Sequence, residues 1–332
     1  MIPENEPITV IGCGVIGLTS AIRLREAGHA VTIVARDLPP ATTSNVAAAV
    51  WFPYKAFPLD RVLAWSRTSL DVYYAEALDP ASGVQLATFI DLFDAPAADP
   101  WWREAVRRFW RPAPNELPAG YADGHACEAP VIETPVYMAR LVRRFTALGG
   151  RIERRAVRDL GAVAGSGRIV VNCAGLGARE LAADPTVFPI RGQIVRLAKP
   201  PGVATVLFDE HGHEALAYVI PRGADVIVGG TAGVDEWRLT ADAATAAEIL
   251  ARATRLEPRL AGAAVLEHLV GLRPGRPAVR LETEIVSGGR VIHNYGHGGA
   301  GFTLAWGCAG EVVTLASGEP EEGPPRTQIR RA

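Results

Sequence analysis

Glycines at fixed spacing, and one arginine set in an apolar run, are the residues of this chain most able to do chemistry. Gly12, Gly14 and Gly17 lie in Gly12-Cys13-Gly14-Val15-Ile16-Gly17, directly after the strand-like run Ile8-Thr9-Val10-Ile11. In that order the first glycine permits a tight turn, the second lets backbone approach a pyrophosphate, and the third lets a helix pack closely. The N–H groups opening that helix then face an anion. Asp37 follows Gly17 by 20 residues, where a carboxylate can hold an adenosine ribose, with Arg36 beside it as the rival contact. A second glycine-rich loop, Gly296 to Gly301, opens another helix. A second helix N-terminus suits a second electron-rich group, such as the N1–C2=O edge of a reduced flavin; a nicotinamide has no such need. For that loop alone, a plain strand-to-helix turn is the alternative.

Arg273, in Val270-Gly271-Leu272-Arg273-Pro274, is a lone cation in apolar surroundings. It suits bidentate capture of a carboxylate, and equally a structural ion pair. Tyr218 alternates with apolar neighbours in Ala217-Tyr218-Val219-Ile220-Pro221 and reads alone as a core tyrosine. Cys13, Cys127, Cys173 and Cys308 are far apart with no C-x-x-C pair, so they are expected as reduced, buried thiols, and no metal site is expected.

The elements that must position these residues follow from periodicity. Residues 8–37 predict strand, turn, helix and strand, a βαβ opening. Residues 54–130, rich in tryptophan and proline, lack a clean βα alternation and are expected to be an irregular insertion. A helix at 135–149 closes at Gly149-Gly150, followed by strands at 151–157 and 169–173. From about 190 the period becomes two, predicting an antiparallel sheet. A helix at 241–255 and a last strand, 290–294, precede the second glycine loop and a helix over 302–316.

At 332 residues the chain is too long for one simple core. The fold class expected is α/β: a Rossmann-like dinucleotide-binding domain from 1–53, 131–190 and 265–320, interleaved with an α+β substrate and interface domain from 54–130 and 191–264. Residues 321–332 read as a flexible tail. Net charge −2 with 21% charged residues gives no reason to expect nucleic acid or membrane as partner. Without a secretory pattern or a long apolar run, the cytoplasm is the expected compartment.

Taken in order, these segments resemble the D-amino-acid oxidase family from about residue 8 to 317. The resemblance rests on the first glycine turn; on Thr42-Thr43-Ser44-Asn45-Val46-Ala47-Ala48-Ala49 with Trp51-Phe52-Pro53-Tyr54; and on Val171-Asn172-Cys173-Ala174-Gly175. It continues through Arg191-Gly192-Gln193, Tyr218 to Pro221, Gly271 to Pro274 with Arg276-Pro277, and His293 to Gly299. It implies FAD as cofactor and oxidative deamination of D-amino acids by hydride transfer to the flavin, giving 2-oxo acid, ammonia and, with dioxygen, hydrogen peroxide.

By that resemblance Gly12, Gly14, Val15, Ile16, Gly17, Arg36, Asp37, Thr42, Thr43 and Ser44 hold the nucleotide and pyrophosphate. Ala47, Ala48 and Ala49 line the isoalloxazine, and Val157, Ala174 and Gly175 meet the adenosine side. Gly298, Gly299, Gly301, Phe302 and Thr303 hold the pyrimidine edge and ribityl chain. Arg273 and Tyr218 match the carboxylate-binding pair, and the carbonyl of Gly299 matches the amine acceptor. Phe52 and Glu214 stand at pocket positions where vertebrate members differ. Neutral, apolar substrates are expected: Phe52 offers no charge, and Ala232 takes the place of a basic residue found in the acidic-substrate branch. His211, His213 or Arg222 could yet supply a second cation. A D-aspartate or D-glutamate oxidase is the related alternative, an NAD-dependent dehydrogenase the distant one. A homodimer is the family analogy.

Overall fold

The computed structural model describes residues 7–210 and 215–318. The chain opens as expected, with β1 (Ile8–Ile11), α1 (Val15–Glu26) and β2 (Val31–Ala35). The first and third glycines of the turn are sterically required. A Cβ on Gly12, whose φ is +108°, would lie 2.4 Å from the Cys173 carbonyl oxygen, and one on Gly17 would lie 2.0 Å from that of Gly12. A short α2 (Thr43–Val46) follows.

Residues 54–130 are more regular than expected. They contain α3 (Leu59–Glu76), an 18-residue helix, then β3 (Val84–Phe93), β4 (Phe109–Trp110) and β5 (Asp123–Ile132). The buried positions of α3, from Val62 through Trp65, Ser66, Ser69, Leu70 and Tyr73, recur at helical spacing. Two of them are serines: Ser66 Oγ donates locally to the Leu63 carbonyl at 2.9 Å, whereas Ser69 Oγ accepts the N–H groups of Trp306 and Gly307. α3 therefore belongs to the core of the nucleotide-binding sheet rather than to the inserted region.

The chain continues through α4 (Thr134–Ala147), β6 (Arg151–Arg154), α5 (Leu160–Ala164), β7 (Ile169–Asn172) and α6 (Ala178–Leu181). It then forms β8 (Phe188–Ala198), β9 (Val206–Asp209), β10 (Ala217–Pro221), β11 (Asp225–Gly229), β12 (Gly233–Val234) and α7 (Ala243–Leu256). Last come β13 (Val265–Gly275), β14 (Arg280–Val286), β15 (Gly289–Tyr295) and α8 (Gly301–Ser317).

Two sheets organise these elements. The first runs β14-β15-β7-β1-β2-β6, parallel except at β14. α1 and α8 pack together, and Thr19 Oγ1 donates across to the Ala305 carbonyl at 3.1 Å. Among the described residues the second sheet has nine strands and is mostly antiparallel, with β13 paired to β8 along its length. Val265–Gly275 thus sits in the second sheet, although its sequence position groups it with the first.

Strand alternation splits the second sheet into two faces. Leu197, Val219, Val226 and Val228 pack with Ile249, Ala253 and Leu256 of α7. Phe89, Ile194, Phe208, Tyr218 and Ile220 point the other way, toward Phe52.

Candidate active site

Both glycine loops end at uncapped helix starts. The first intrahelical bond of α1 runs from Leu18 N–H to Gly14 O, so the N–H groups of residues 15–17 have no helical partner. Val15 N–H donates to Ser44 Oγ at 2.9 Å, and a Cβ on Gly14 would come within 3.1 Å of that oxygen. Ser44 is thereby brought to the head of α1. Thr42, on the same segment, donates to Asn45 Oδ1 at 2.8 Å. α8 likewise starts at Ala300 with no side-chain cap. A Cβ on Gly301 would stand 3.8 Å from Val15 Cγ1, so the two helix N-termini converge. Two adjacent helix starts whose first N–H groups have no helical partner fit a cofactor with an anionic bridge and an electron-rich ring.

The remaining nucleotide-side residues fall around this point. Arg36 and Asp37, at the end of β2, pair with each other at 2.8 Å. Val157 and Ala174 share one apolar cluster with Ile11 and Val170. Gly175 takes φ +57° at the end of β7, where Ala174 N–H donates to Asn172 Oδ1 at 3.2 Å. Thr303 spends its hydroxyl on Phe52, donating to its carbonyl at 2.9 Å and accepting from its N–H at 3.1 Å. Phe302 offers its carbonyl to Tyr73 at 2.8 Å. His297 is buried beside Gly298 with Nε2 unpartnered, and burial pulls its pKa down to about 3, keeping it neutral.

The segment 45–49 is held from two sides. Thr134 Oγ1 donates to the carbonyls of Asn45 and Ala47, and Arg222 Nη1 donates to that of Ala48 at 3.2 Å. Ala49 exchanges backbone hydrogen bonds with Ile132. Arg222 is a locked structural cation: both arms of its guanidinium grip Asp225 at 2.7 and 2.8 Å. It is not a spare charge for the pocket, contrary to the possibility raised from sequence. His211, His213 and Glu214 lie outside the described residues, as does the tail over 321–332.

Arg273 has no ion pair among the described residues. It is half-buried, it donates to the Thr231 carbonyl at 3.0 Å, and among the described residues no carboxylate lies within 4.0 Å of it. Glycine makes its room, since a Cβ on Gly192 would lie 2.5 Å from the guanidinium. Tyr218 is buried beside it. Burial pushes its phenol pKa up while the charge and hydrogen bonding of Arg273 pull it back, so the hydroxyl remains a neutral donor. Gly229 and Gly230 give the Tyr218 ring its space; a Cβ on either would lie 2.3 or 2.6 Å from it.

Gly299 completes the convergence. A Cβ there would lie 3.7 Å from Arg273 Cδ and 3.3 Å from Tyr54 Cδ1. Tyr54 is thus a site residue that sequence left as part of a motif. Phe52 forms the adjoining wall, with ring centroids 4.7 Å from Phe89, 5.3 Å from Phe208 and 5.6 Å from Trp102. Ala232 is exposed and brings no charge. A separate cavity of about 410 Å³, lined by Tyr121, Ala217, Arg252 and Arg255, opens on the α7 face of the sheet, away from Tyr218.

Burial pushes the thiols of Cys13, Cys127 and Cys173 up to about 12 and that of Cys308 up as well, so none is a nucleophile at neutral pH. Among the described residues, no helix is long and apolar enough to cross a membrane.

The chain is similar to known proteins along nearly its whole length. A D-amino-acid oxidase of Rubrobacter xylanophilus is 51% identical over 309 residues, covering 92% of this chain and 94% of that protein. A D-aspartate oxidase of Homo sapiens is 36% identical over 329 residues, covering 95% of each. The crystal structure of glycine oxidase from Geobacillus kaustophilus shares the fold, with TM-score 0.81, 18% identity and 98% of both chains covered. The model of the FAD dependent oxidoreductase (DAO) family matches residues 7–315. With its paired helix starts and nearly its whole length matched, the chain belongs to the DAO family of FAD-dependent oxidoreductases.

Proposed function

We propose that this chain catalyses FAD-dependent oxidative deamination of D-amino acids, with neutral, apolar side chains preferred to acidic ones. The observation that carries the reading is a half-buried arginine with no acidic partner among the described residues, set beside Gly299 and Tyr218. Such a cation is complete only when a ligand carboxylate arrives.

Arg273 grips that carboxylate with two parallel N–H bonds, and the Tyr218 hydroxyl donates one more. The carbonyl of Gly299 accepts from the amine. These contacts leave one direction for the Cα hydrogen, toward the face lined by Ala47, Ala48 and Ala49, and one for the side chain, along Phe52 and Phe208. The mirror-image substrate would drive its side chain into the wall. FAD, when bound, supplies the two-electron acceptor for the Cα hydrogen, held at the converging starts of α1 and α8. The imino acid released then hydrolyses to 2-oxo acid and ammonia, and dioxygen takes the electrons as hydrogen peroxide. The protein contributes chiefly by positioning.

An acidic side chain would need a second fixed cation, because burying an unpaired carboxylate is costly. Arg222 is committed to Asp225 and the position of Ala232 is uncharged. Peroxide release from D-valine, D-methionine, D-aspartate and L-alanine tests the reading: the two apolar D-substrates are expected to give the largest kcat/KM, and L-alanine none. Equal rates with L- and D-alanine, or D-aspartate as the best substrate, would overturn it. Cytoplasmic location and a homodimer complete the proposal, the dimer by analogy with the family.

A further inference from the structure

Tyr54 starts at Gly299 and runs outward, and its hydroxyl donates to Glu210 Oε1 at 3.2 Å. Lys55 forms an ion pair with the same oxygen and lays its ammonium over the Tyr54 ring, 5.2 Å from the centroid. The two charges are unequally held. Glu210 is 15% exposed at its side chain and Lys55 66%. Lys55 also has φ 41°, a left-handed backbone that residues other than glycine adopt only where their surroundings impose it. Nearby Asp91 adds little charge at neutral pH, because burial, then the charges of Glu210 and Asp209, push its carboxyl up to about 8.

We infer that Glu210, with Lys55 as an exchangeable counter-ion, sets charge selectivity at the far end of the substrate side chain. The inference rests on the D-amino-acid reading above. A substrate carrying a distal ammonium on a lysine-like stem lies along the Tyr54 ring, as Lys55 itself does, and replaces Lys55 on Glu210. The charge of the pair is unchanged, and the displaced lysine moves into water it already meets. A distal carboxylate has no equivalent exchange. It gains Lys55 only by leaving the mostly buried Glu210 unpaired, which is the costly half of a broken ion pair.

The test compares wild-type holoenzyme with Glu210→Gln and Lys55→Met, measuring kcat/KM for D-lysine and D-methionine at one neutral pH. The D-lysine to D-methionine ratio is expected to fall about tenfold in Glu210→Gln and to rise about threefold in Lys55→Met, where the competing ammonium is gone. A merely structural role would move both substrates together and leave the ratio alone. Flavin absorbance establishes that each variant carries its cofactor. Ratios within twofold of wild type in both variants, or D-lysine left unoxidised by both wild type and Lys55→Met, overturn the inference. Failure of the underlying reading is separately visible, because D-methionine itself would then yield no peroxide.

Discussion

At the scale of single residues, Arg273 and Tyr218 share one substrate carboxylate under the proposed function and carry unequal shares of it. Arg273→Leu leaves an anion in a site with no other described cation in contact, and breaking one side of a buried charge pair costs about 3–5 kcal/mol. Tyr218→Phe removes one neutral hydrogen bond, about 1–3 kcal/mol. At about 1.4 kcal/mol per decade, kcat/KM falls roughly two to four decades for Arg273→Leu and less for Tyr218→Phe. FAD binding should stay intact in both, since neither side chain caps a helix start. Steady-state kinetics with D-methionine check this, and an Arg273→Leu enzyme within threefold of wild type would place the carboxylate elsewhere. The sequence could suggest Arg273 as a clamp but not free it from the rival of a structural ion pair. What speaks against that rival is that no carboxylate among the described residues lies within 4.0 Å of the guanidinium, which donates instead to the Thr231 carbonyl.

At the scale of elements, what was legible is what is local. The opening βαβ unit was readable because its periodicity and spacing are local, with Gly17 answering to the Gly12 backbone, although Gly12 itself answers to the Cys173 carbonyl far along the chain. α3 was not, because its inward stripe includes Ser69, whose hydroxyl accepts from the N–H groups of Trp306 and Gly307 far along the chain. The approach of Tyr54 to Gly299 and the bond from Arg222 to the Ala48 carbonyl are long-range in the same sense. The α3–α8 contact offers a paired test within one helix. A Cβ on Gly307 would lie 2.3 Å from the Cα and carbonyl oxygen of Trp65, while one on Gly310 meets nothing within 4 Å. Gly307→Ala must push the helices apart, at about 1–3 kcal/mol or more, lowering Tm by roughly 2–10 °C. It should also weaken FAD affinity, since α8 carries the second helix start. Gly310→Ala gains helix propensity, up to about 1 kcal/mol, and raises Tm slightly. Thermal melts and FAD titration of the two variants read both effects, and equal melts would remove the close packing as a determinant.

At the scale of the whole molecule, buried carboxyls pull stability in opposite directions with pH. Against burial, which pushes it up, hydrogen bonds from Thr186, Arg276 and Tyr295 hold Asp184 well below the usual carboxylate range. Its contribution is present above the unfolded value and is lost only as pH falls through the depressed one. Asp91 behaves oppositely. Burial, then the charges of Glu210 and Asp209, raise it from 3.8 to about 8, and burial raises Glu76 against the hydrogen bond from Tyr137 and the charge of Arg144. The folded protein therefore keeps protons that the unfolded chain releases. Stability from this source is full below the ordinary aspartate value and declines as pH rises toward about 8, because the slope follows the difference in bound protons. Tm is accordingly expected to fall between about pH 5 and about pH 8. Asp91→Asn, which cannot ionise, should flatten that fall, gaining more relative to wild type at the alkaline end than at the acid end. Thermal melts of both proteins across this range decide it: parallel profiles would mean that Asp91 titrates normally in the folded state, whereas converging profiles at low pH locate the retained proton on Asp91.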